Sequence, residues 1–469
     1  MDVQKGPKQH KADCHHWKFS AEMASLKATK KWVRSKSDPP LGAYPNTYSK
    51  EFVPSHTRKL LLQILNLCLK SGDIPNFEKL CVVSALPKAE GQVYTLDTMR
   101  PITVGPAISR FFHKIIAFRL STAFTRHGIM DQAQFAFLPG KDIHGPIGAV
   151  FDCYRDRKRH GKNCYAIFYD ISKAYDTVKW SSISRAMNRL GLPISFINLV
   201  MNVLRGTSLV MRTNRTGRVT PVVTVHQSIK QGCPLAPLLF TIVMDELHTK
   251  LRELGGYTMQ STRGTLPPHT MHSLGYCDDT AIFATSIEDL EKMNRLVFEF
   301  FKENNFQVNL VKTKVTGRSG EGEAFAGRVH WPGSAVPFTT VPPQETIKYL
   351  GAHISLDLNW EPQIAKMRST ILHTAACLHV RRLTLYQGCL LTKYVNGPKL
   401  EIGMRHATIS AEELLGWDRK LSAALTGAAN LSAASIHFTA TSSICKYTPL
   451  SDLYLQAQAI QTRPAHQTV

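Results

Sequence analysis

The most constraining feature of the sequence is a pair of adjacent aspartates inside an apolar segment, GYCDDTAIFA, at residues 275–284. The apolar flanks indicate burial, and a buried ionised carboxylate is unfavourable unless a charge or a hydrogen bond compensates it. Successive side chains of a strand point to opposite faces, so an uninterrupted strand would bury one carboxylate without a partner. We therefore expect one strand at 273–277 and another at 280–284, with Asp278 and Asp279 at the bend between them.

Two carboxylates at one turn can converge on a cation, and Mg²⁺ commonly takes one or two carboxylates together with waters and substrate phosphates. Asp170 is a third candidate ligand, because it ends a predicted apolar strand at 165–169 and ligand sites form at such strand ends. Two ions held by these acids would suit phosphoryl transfer between oxygen atoms. Two plainer interpretations stay open: an Asp-Asp surface turn, and an Asp170 that only caps the helix after it.

The charge of the chain indicates the kind of partner. It has 469 residues and a formal net charge of +22, which favours a polyanion, first of all nucleic acid. A basic surface without such a partner is the alternative. The ten cysteines form no Cys-x-x-Cys pair, which favours reduced intracellular thiols over a zinc site. We find no apolar run that would span a membrane and no signal-peptide segment.

Strand and helix patterns interleave through the middle of the chain, and the length predicts two or three packed units. These patterns predict an α+β or α/β core with helical flanks. Residues 1–50 are basic and end near two prolines, which predicts a disordered arm. Such an arm either binds nucleic acid, directs nuclear import or is simply solvated.

Several segments, taken in order, resemble the motifs of one enzyme family. They are LPKAEG (86–91), MRPITVGPAISR (99–110), QAQFAFLPGKDI (132–143), FYDISKAYDTV (168–178), QGCPLAPLLF (231–240), GYCDDTAIFA (275–284), NLVKTKV (309–315) and IKYLGAHI (347–354). The chain resembles, over about residues 55 to 400, the reverse transcriptases of non-LTR (LINE-type) retrotransposons and of group II introns. The order of the segments makes this resemblance far more specific than the Asp-Asp pair alone.

The resemblance implies an α+β right-hand polymerase fold with an antiparallel palm sheet packed on helices. Residues 51–160 would form the fingers, 161–345 the palm with interleaved fingers elements, and 346–469 the primer grip, the helical thumb and a tail. The implied activity is RNA-directed DNA synthesis for retrotransposition, with two Mg²⁺ ions (Mn²⁺ being possible). The implied partners are an RNA template, a DNA or RNA primer and dNTPs.

By position in these motifs, Asp170, Asp278 and Asp279 match the catalytic metal ligands. Lys312 matches the motif near the leaving group, where a lysine donates a proton to pyrophosphate, and Lys314 is a neighbouring alternative. A solvated surface charge is the plainer interpretation of each lysine. The intact acids indicate a working site rather than a decayed one.

The nucleotide-binding residues are also carried over from the motifs. Tyr175 matches the aromatic gate that packs where a ribose 2′-OH would lie, so it favours dNTPs, although it could be an ordinary core tyrosine. Gln231 and Gly232 match the loop that borders the template and the incoming nucleotide. Lys88 and Arg100 match fingers residues that face the triphosphate and the template, where arginine suits bidentate phosphate binding.

Leu350 and Gly351 match the primer grip, with an ordinary hairpin as the alternative. Two residues depart from the family pattern: Ala236 replaces a serine in the Pro-x-Ser-Pro loop, and Cys277 stands where alanine is common. We expect both changes to affect the efficiency of catalysis and not the family to which the chain is compared, because neither removes an acid of the predicted site.

Two other functions remain as alternatives. One is a group II intron-type reverse transcriptase with maturase activity, for which a maturase helical domain and a zinc endonuclease would be expected. The other is a non-catalytic RNA-binding remnant of a retroelement. We find neither a LINE-type endonuclease nor a Cys/His cluster beyond residue 400, so we interpret the chain as a polymerase unit, either one fragment of a longer element or a truncated genomic copy. We expect an intracellular, nuclear location; the sequence does not indicate an oligomeric state.

Overall fold

The computed structural model describes residues 55–88, 95, 98–212, 219–260, 268–381, 383–428 and 450–461. The predicted arm at 1–50 lies outside the described residues. Two compact units interleave along the chain. The first comprises the described residues of Met1–Lys141, Ile171–Lys250 and Leu296–Val308, and the second those of Asp142–Asp170, Leu251–Arg295 and Asn309–Val469. The division into fingers, palm and thumb at 51–160, 161–345 and 346–469 stays a prediction.

Helices make up much of the described chain. They are α1 (Ser55–Ser71), α2 (Ala107–Arg126), α3 (His144–His160), α4 (Ala174–Thr177), α5 (Trp180–Arg189), α6 (Ile194–Leu204), α7 (Ala236–Leu254), α8 (Ile287–Asn304), α9 (Glu361–Arg381), α10 (Leu385–Leu391), α11 (Gly397–His406), α12 (Ala411–Ala428) and α13 (Leu450–Gln461). Short 3₁₀ and π segments occupy Asn76–Lys79 and Thr392–Asn396.

The strands are short and fall into small sheets. They are β1 (Leu80–Pro87), β2 (Met99–Val104), β3 (Cys164–Tyr169), β4 (Ile171–Ser172), β5 (Ser208–Met211), β6 (Val223–Thr224), β7 (Tyr257–Met259), β8 (His269–Met271), β9 (Ser273–Tyr276), β10 (Asp279–Ala284), β11 (Gln307–Val308), β12 (Lys314–Arg318), β13 (Thr339–Thr340), β14 (Ile347–Tyr349) and β15 (Ala352–Ile354).

The first unit contains a four-stranded sheet in the order β2-β1-β5-β6. Strands β1 and β2 pair antiparallel, whereas β1 and β5 are parallel. Strand β4 pairs with β11 as a separate two-stranded ribbon. The first half of α7, residues 236–244, is buried on most sides, because its sequence is apolar around the helix except at Thr241 rather than on one stripe.

The second unit contains a five-stranded sheet in the order β13-β12-β3-β10-β9. Every residue of the central strand β3 is buried, as its continuous apolar sequence predicts for a strand covered on both faces. The pairings β12–β3, β3–β10 and β10–β9 are antiparallel, which agrees with the expected antiparallel sheet. The short edge strand β13 differs, since it pairs parallel to β12.

The described residues after 361 are mainly helical, in agreement with the expected helical flank, and they have an apolar core of their own in the second unit. Helices α9, α11 and α12 contribute Met367, Leu400 and Trp417, among other buried residues, to one apolar cluster with α13. None of the helices in the described ranges is long and apolar enough to cross a membrane.

Candidate active site

The aspartate pair lies on a tight hairpin of the second unit, but the bend is shifted by one residue from the prediction. Tyr276 and Asp279 are paired across the hairpin, so Cys277 and Asp278 form the turn and Asp279 begins β10. Cys277 adopts a positive φ of 59°, as the first central residue of a two-residue hairpin loop often does. The expected strand ends at 277 and 280 were therefore wrong by one residue, while the hairpin itself is confirmed.

Strand pairing brings Asp170 to the same end of the sheet as this hairpin. Tyr169, the last residue of β3, is paired with Thr280 of β10. Continuing this antiparallel register by one residue sets Asp170 opposite Asp279, and directly opposed residues project their side chains from the same face. The three predicted metal ligands thus come from two adjacent strand ends of one sheet.

The electrostatics of Asp279 show that the carboxylates interact. The pKa of the Asp279 carboxyl is raised to about 7, first by desolvation and then by repulsion from Asp278 and Asp170. Solvent still reaches the Asp279 side chain, so water screens part of this repulsion. A proton or a cation is therefore favoured at this carboxylate near neutral pH.

A buried tyrosine lies close to the same group. Phe168 packs in edge-to-face fashion against both Phe283 and Tyr349, with ring centroids 6.0 and 5.2 Å apart. Burial and the charge of Asp279 raise the pKa of Tyr349. Its hydroxyl is buried without a hydrogen-bond partner in the described structure, so it is an available donor on the face of the sheet that carries Asp279.

The backbone of Asp170 is held by the turn that precedes β12. Its carbonyl oxygen accepts a hydrogen bond from the N–H of Asn309 at 2.8 Å, and its own N–H donates to Thr313 Oγ1 at 3.3 Å. The N–H of Lys312 donates to Asn309 Oδ1 at 3.2 Å within the same turn. The predicted proton donor Lys312 is therefore attached to the segment that holds Asp170, with its side chain exposed.

The three carboxylates would supply at most an open, partial ligand set for a divalent ion. No group of three or more His, Cys, Asp or Glu residues within the described ranges forms a site that could hold a metal ion by itself. Mg²⁺ does not require such a cage, because it is usually held by one or two carboxylates, waters and substrate phosphates. The raised pKa of Asp279 is the observation that favours a cation, since a positive charge would relieve the repulsion.

The predicted nucleotide loop belongs to the first unit and is attached to β2. The N–H of Thr103 donates to the Gln231 carbonyl oxygen at 2.6 Å. Gly232 has a φ of +108°, and a Cβ atom there would lie 2.6 Å from the Thr103 carbonyl oxygen. Only glycine fits such a conformation and such a close approach, so this position is fixed by backbone geometry.

Three of the five predicted nucleotide-binding residues lie beside Asp176 in the first unit: Tyr175, Gln231 and Lys88. Tyr175 stacks on Phe240, with parallel rings 5.3 Å apart. Desolvation raises the pKa of Asp176, while a side-chain hydrogen bond from Gln231 and the charges of Lys173 and Lys88 oppose that shift. The structure therefore places Lys88 and Gln231 around Asp176, which the sequence analysis did not select.

Arg100 lies on β2 opposite Leu86, and its side chain is exposed. The N–H of Lys88 donates to the carbonyl oxygen of Thr98 at 2.9 Å. Lys88 and Arg100 are thus carried by neighbouring positions of the β1–β2 pair, which presents two positive charges at one end of that sheet.

The predicted primer-grip pair forms the turn of the β14–β15 hairpin in the second unit. Leu350 and Gly351 have positive φ angles of 48° and 85°, as a two-residue hairpin loop requires. The Gly351 carbonyl oxygen accepts a hydrogen bond from Lys366 Nζ at 3.0 Å. The structure shows the hairpin that was the plainer interpretation of this pair, whereas the primer-grip role stays a prediction.

Sequence reasoning missed the residues that support the site. Asn309, Thr313 and Tyr349 each lie within three positions of a predicted residue inside a motif, but their roles depend on pairings between distant segments. The sequence signal for two of these supporting residues was the polar pair Asn309 and Thr313, which lie in the same NLVKTKV segment as Lys312.

The comparison with protein families identifies the class of domain. The model of the family "Reverse transcriptase (RNA-dependent DNA polymerase)" matches residues 86–354, which is more than half of the chain. That range includes the aspartate hairpin, β3 and the Gln231 loop. The chain therefore belongs to the reverse transcriptase (RNA-dependent DNA polymerase) family. The domain of this family has a right-hand polymerase fold.

The similar curated proteins are retrotransposon products. The chain is 26% identical over 365 residues to a Pol polyprotein of the R2 retrotransposable element of Popillia japonica, covering 77% of this chain and 49% of that protein. It is 28% identical over 290 residues to the R2DM Pol polyprotein of Drosophila melanogaster, covering 61% of this chain and 25% of that protein. The chain thus spans about half or less of the length of these relatives.

Among solved structures, apo telomerase of Candida tropicalis truncated from its C-terminal domain is 13% identical, with a TM-score of 0.41. The alignment covers 61% of this chain and 55% of that chain. A similarity of this size does not by itself establish a fold, so the fold class rests on the family match.

Proposed function

We propose that the chain is an RNA-directed DNA polymerase that extends a primer 3′-hydroxyl with dNTPs on an RNA template, and that it serves retrotransposition. The observation that carries this proposal is the set of three carboxylates at one end of the β3–β10 pair. Asp279, with its pKa raised to about 7 by desolvation and by its neighbours, marks a site that favours positive charge. Packing alone gives no reason to gather acids at the end of an otherwise apolar sheet.

In the second unit, Asp170, Asp278 and Asp279 would hold two Mg²⁺ or Mn²⁺ ions. Such ions, when bound, activate the attacking hydroxyl and stabilise the pyrophosphate leaving group. Asp279 has to release its proton before it can serve as a ligand. Lys312 would donate a proton to the leaving pyrophosphate, and Asn309 and Thr313 would keep Asp170 in place through its backbone.

In the first unit, Tyr175 would select the sugar. Its ring is held by the stack on Phe240, so it is restrained from moving aside for a ribose 2′-hydroxyl. Lys88 and Arg100 would bind the triphosphate, since both are cations and arginine suits bidentate phosphate contacts. Gln231 would border the nucleotide through its side chain, because its backbone is already bonded to Thr103.

We assign the fingers, palm and thumb to residues 51–160, 161–345 and 346–469, with Leu350 and Gly351 as the primer grip. The support for this division is the family match at 86–354 and the helical segment beyond residue 361. We also infer a nuclear location from the basic segment at 1–50 and from the retrotransposon relatives.

Primer extension on poly(rA)–oligo(dT) with Mg²⁺ tests the activity and the sugar gate together. The chain is expected to incorporate dTTP and to use UTP poorly. Tyr175→Ala is expected to raise the use of UTP relative to dTTP by at least about tenfold, or about 1.4 kcal/mol of discrimination. Tyr394→Ala, which removes an exposed tyrosine of the second unit, is the matched control and should leave the ratio unchanged.

The two alternative functions give different results in this assay. A non-catalytic remnant would bind the RNA in a salt-sensitive manner without extending the primer in either Mg²⁺ or Mn²⁺. A maturase-type enzyme would extend the primer and also promote splicing of an intron RNA. Unchanged sugar selectivity in Tyr175→Ala would contradict the assigned gate even if polymerisation were observed.

A further inference from the structure

The loop that carries Gln231 and Gly232 also carries a cysteine with an unusual environment, all of it within the first unit. Cys233 is partly exposed, and its Sγ lies 3.3 Å from Nδ1 of His113 on α2. His113 is 3% exposed, and its second ring nitrogen, Nε2, is buried without a hydrogen-bond partner in the described structure. The imidazole is therefore directed at this sulfur and is not engaged elsewhere through Nε2.

Two further groups stabilise negative charge on the same sulfur. The first is the positive charge of Lys230, which lowers the pKa of the Cys233 thiol. Lys230 is three residues away, and its carbonyl oxygen accepts a hydrogen bond from the Cys233 N–H at 3.1 Å. The 19-residue helix α7 begins at Ala236, and the backbone N–H of Leu235 donates to the thiol group. A helix N-terminus and neighbouring cations are the surroundings in which cysteine thiolates become reactive.

These contacts outweigh the effect of burial. Desolvation alone would raise the pKa of the Cys233 thiol, but the charge and hydrogen bond of His113, the charge of Lys230 and the Leu235 N–H lower it to about 6. Cys81 of β1, the other thiol of this cluster, behaves oppositely. Burial raises the pKa of Cys81, and the residue is 1% exposed, whereas Cys233 is partly exposed and has the lower pKa of the two thiols.

We propose that Cys233 is a modification site that forms mixed disulfides with small-molecule disulfides. The thiolate sulfur attacks one sulfur of the disulfide, the disulfide S–S bond breaks, and a new bond joins Cys233 Sγ to that sulfur. The second half leaves as a thiolate and takes a proton from solvent. A reducing thiol reverses the reaction by the same exchange.

The adduct would stand directly after Gly232, where the backbone has no room to adjust. A Cβ atom on Gly232 would already lie 2.6 Å from the Thr103 carbonyl oxygen, so the loop cannot move toward β2 to make room for an added group at Cys233. This consequence rests on the proposed function, because the loop is the one assigned to the nucleotide. Modification at Cys233 is therefore a reversible means of blocking nucleotide binding.

The test measures the rate of adduct formation with 2-hydroxyethyl disulfide, an uncharged probe, by peptide mass spectrometry of the full chain. A cysteine-containing model peptide in the same sample serves as the reference, with a thiol pKa of about 8.5. At pH 6 Cys233 has about 150-fold more thiolate than the peptide, while its lower basicity makes it about 10- to 18-fold less nucleophilic. We expect Cys233 to react roughly tenfold faster than the peptide at pH 6 and roughly tenfold slower at pH 9.

This inversion does not depend on how accessible the sulfur is, because accessibility scales both rates equally. Cys377 of α9 is the in-chain control: it is partly exposed and lies 3.6 Å from His373 Nε2, but it is in the middle of a helix. We expect no rate advantage of Cys377 over the peptide at pH 6. A Cys233-to-peptide ratio that stays constant between pH 6 and pH 9 would overturn the proposal.

Two variants test the neighbours. Lys230→Met and His113→Gln are each expected to slow the reaction of Cys233 at pH 6 by several-fold, whereas Lys302→Met, at an exposed position of the same unit, should not. Equal rates in all three variants would also contradict the proposal. Because the adduct is counted directly, a chain without polymerase activity would refute the proposed function and leave this test intact. If the chain is active, the adduct should slow dTTP incorporation at least tenfold, and dithiothreitol should restore it.

Discussion

Replacing Asp279 by asparagine should stabilise the metal-free protein while it disables the metal site. Asparagine is nearly the same size as aspartate, but it carries no charge to repel Asp278 and Asp170. The folded-state pKa of Asp279 is about 7, whereas an unfolded aspartate titrates near 3.9. The folded state therefore retains the proton between these values and the unfolded state does not, so stability falls as the pH rises through that window.

The size of the effect follows from the shift. Three pKa units correspond to about 4 kcal/mol, but Asp279 is exposed, and solvent screening reduces this to about 1–2 kcal/mol. For a unit of roughly 200 residues, 1 kcal/mol shifts the unfolding temperature by about 2–4 °C. We expect Asp279→Asn to unfold about 2–8 °C higher than the unchanged chain at pH 8 in EDTA, and at the same temperature at pH 4.

Both effects are measured by thermal unfolding at one fixed scan rate, once with EDTA and once with excess Mg²⁺. Mg²⁺ should raise the unfolding temperature of the unchanged chain but not that of Asp279→Asn, since ligand binding stabilises only the state that binds it. Asp289→Asn is the matched control. Its carboxylate accepts hydrogen bonds from Ser286 and Lys292, which lower the pKa of Asp289, so this variant should be less stable at pH 8. A destabilised Asp279→Asn, or one as responsive to Mg²⁺ as the unchanged chain, would refute the reasoning.

Three other perturbations have expected outcomes. Burial lowers the pKa of His406 to about 3, so on acidification the unfolded chain takes up a proton before the folded chain does. Lowering the pH from 6.5 to 5 should therefore remove about 2 kcal/mol of the free energy of unfolding. The variant His406→Gln should show a smaller loss, measured by urea unfolding at the two pH values. Gly232→Ala should lower the free energy of unfolding by at least about 2 kcal/mol in the same measurement, because of the positive φ and the close Thr103 oxygen. Gly416→Ala is the control: a Cβ atom at this position of α12 would meet nothing within 4 Å, and the variant should gain about 0.5–1 kcal/mol. Tyr349→Phe removes a buried hydroxyl without a partner and should stabilise the metal-free chain by about 1 kcal/mol; a loss of stability would show that the hydroxyl is bonded.

The elements that bear the site could be predicted because local patterns determine them. The apolar segment before Asp170 predicted a buried strand, and β3 is buried at every residue. Leu350 and Gly351 form a hairpin turn, as the plainer of their two interpretations held, and both residues adopt a positive φ. Local alternation and turn chemistry were sufficient in these cases.

The position of the aspartate turn could not be predicted to the residue. Local reasoning placed both aspartates at the bend, because an uninterrupted strand would bury one carboxylate without a partner, and aspartate also tolerates turn conformations better than cysteine does. Pairing of Asp279 with Tyr276 and of Thr280 with Tyr169 instead sets the register, and Cys277 takes the positive φ. The tertiary pairing prevailed over the local preference, and it brings Asp279 into register with Asp170.

The contacts that support the site depend on segments far apart in sequence. Thr313 is 143 positions from Asp170, to which it is hydrogen-bonded, and His113 is 120 positions from Cys233. No spacing rule along one segment can reveal such a pair, whereas motif order could indicate which segments meet. The sequence therefore predicted the acids and the loops but not what holds them.

The most direct test of the central claim is the rate of dTTP incorporation on poly(rA)–oligo(dT) by the unchanged chain, by Asp170→Asn and by the control Asp289→Asn. We expect Mg²⁺-dependent extension by the unchanged chain and by Asp289→Asn. We expect the rate of Asp170→Asn to be lower by about 10³-fold or more, because removing a metal ligand forfeits several kcal/mol of transition-state stabilisation. No extension by the unchanged chain in Mg²⁺ or Mn²⁺, or an Asp170→Asn rate within tenfold of it, would contradict the claim that these carboxylates form a polymerase active site.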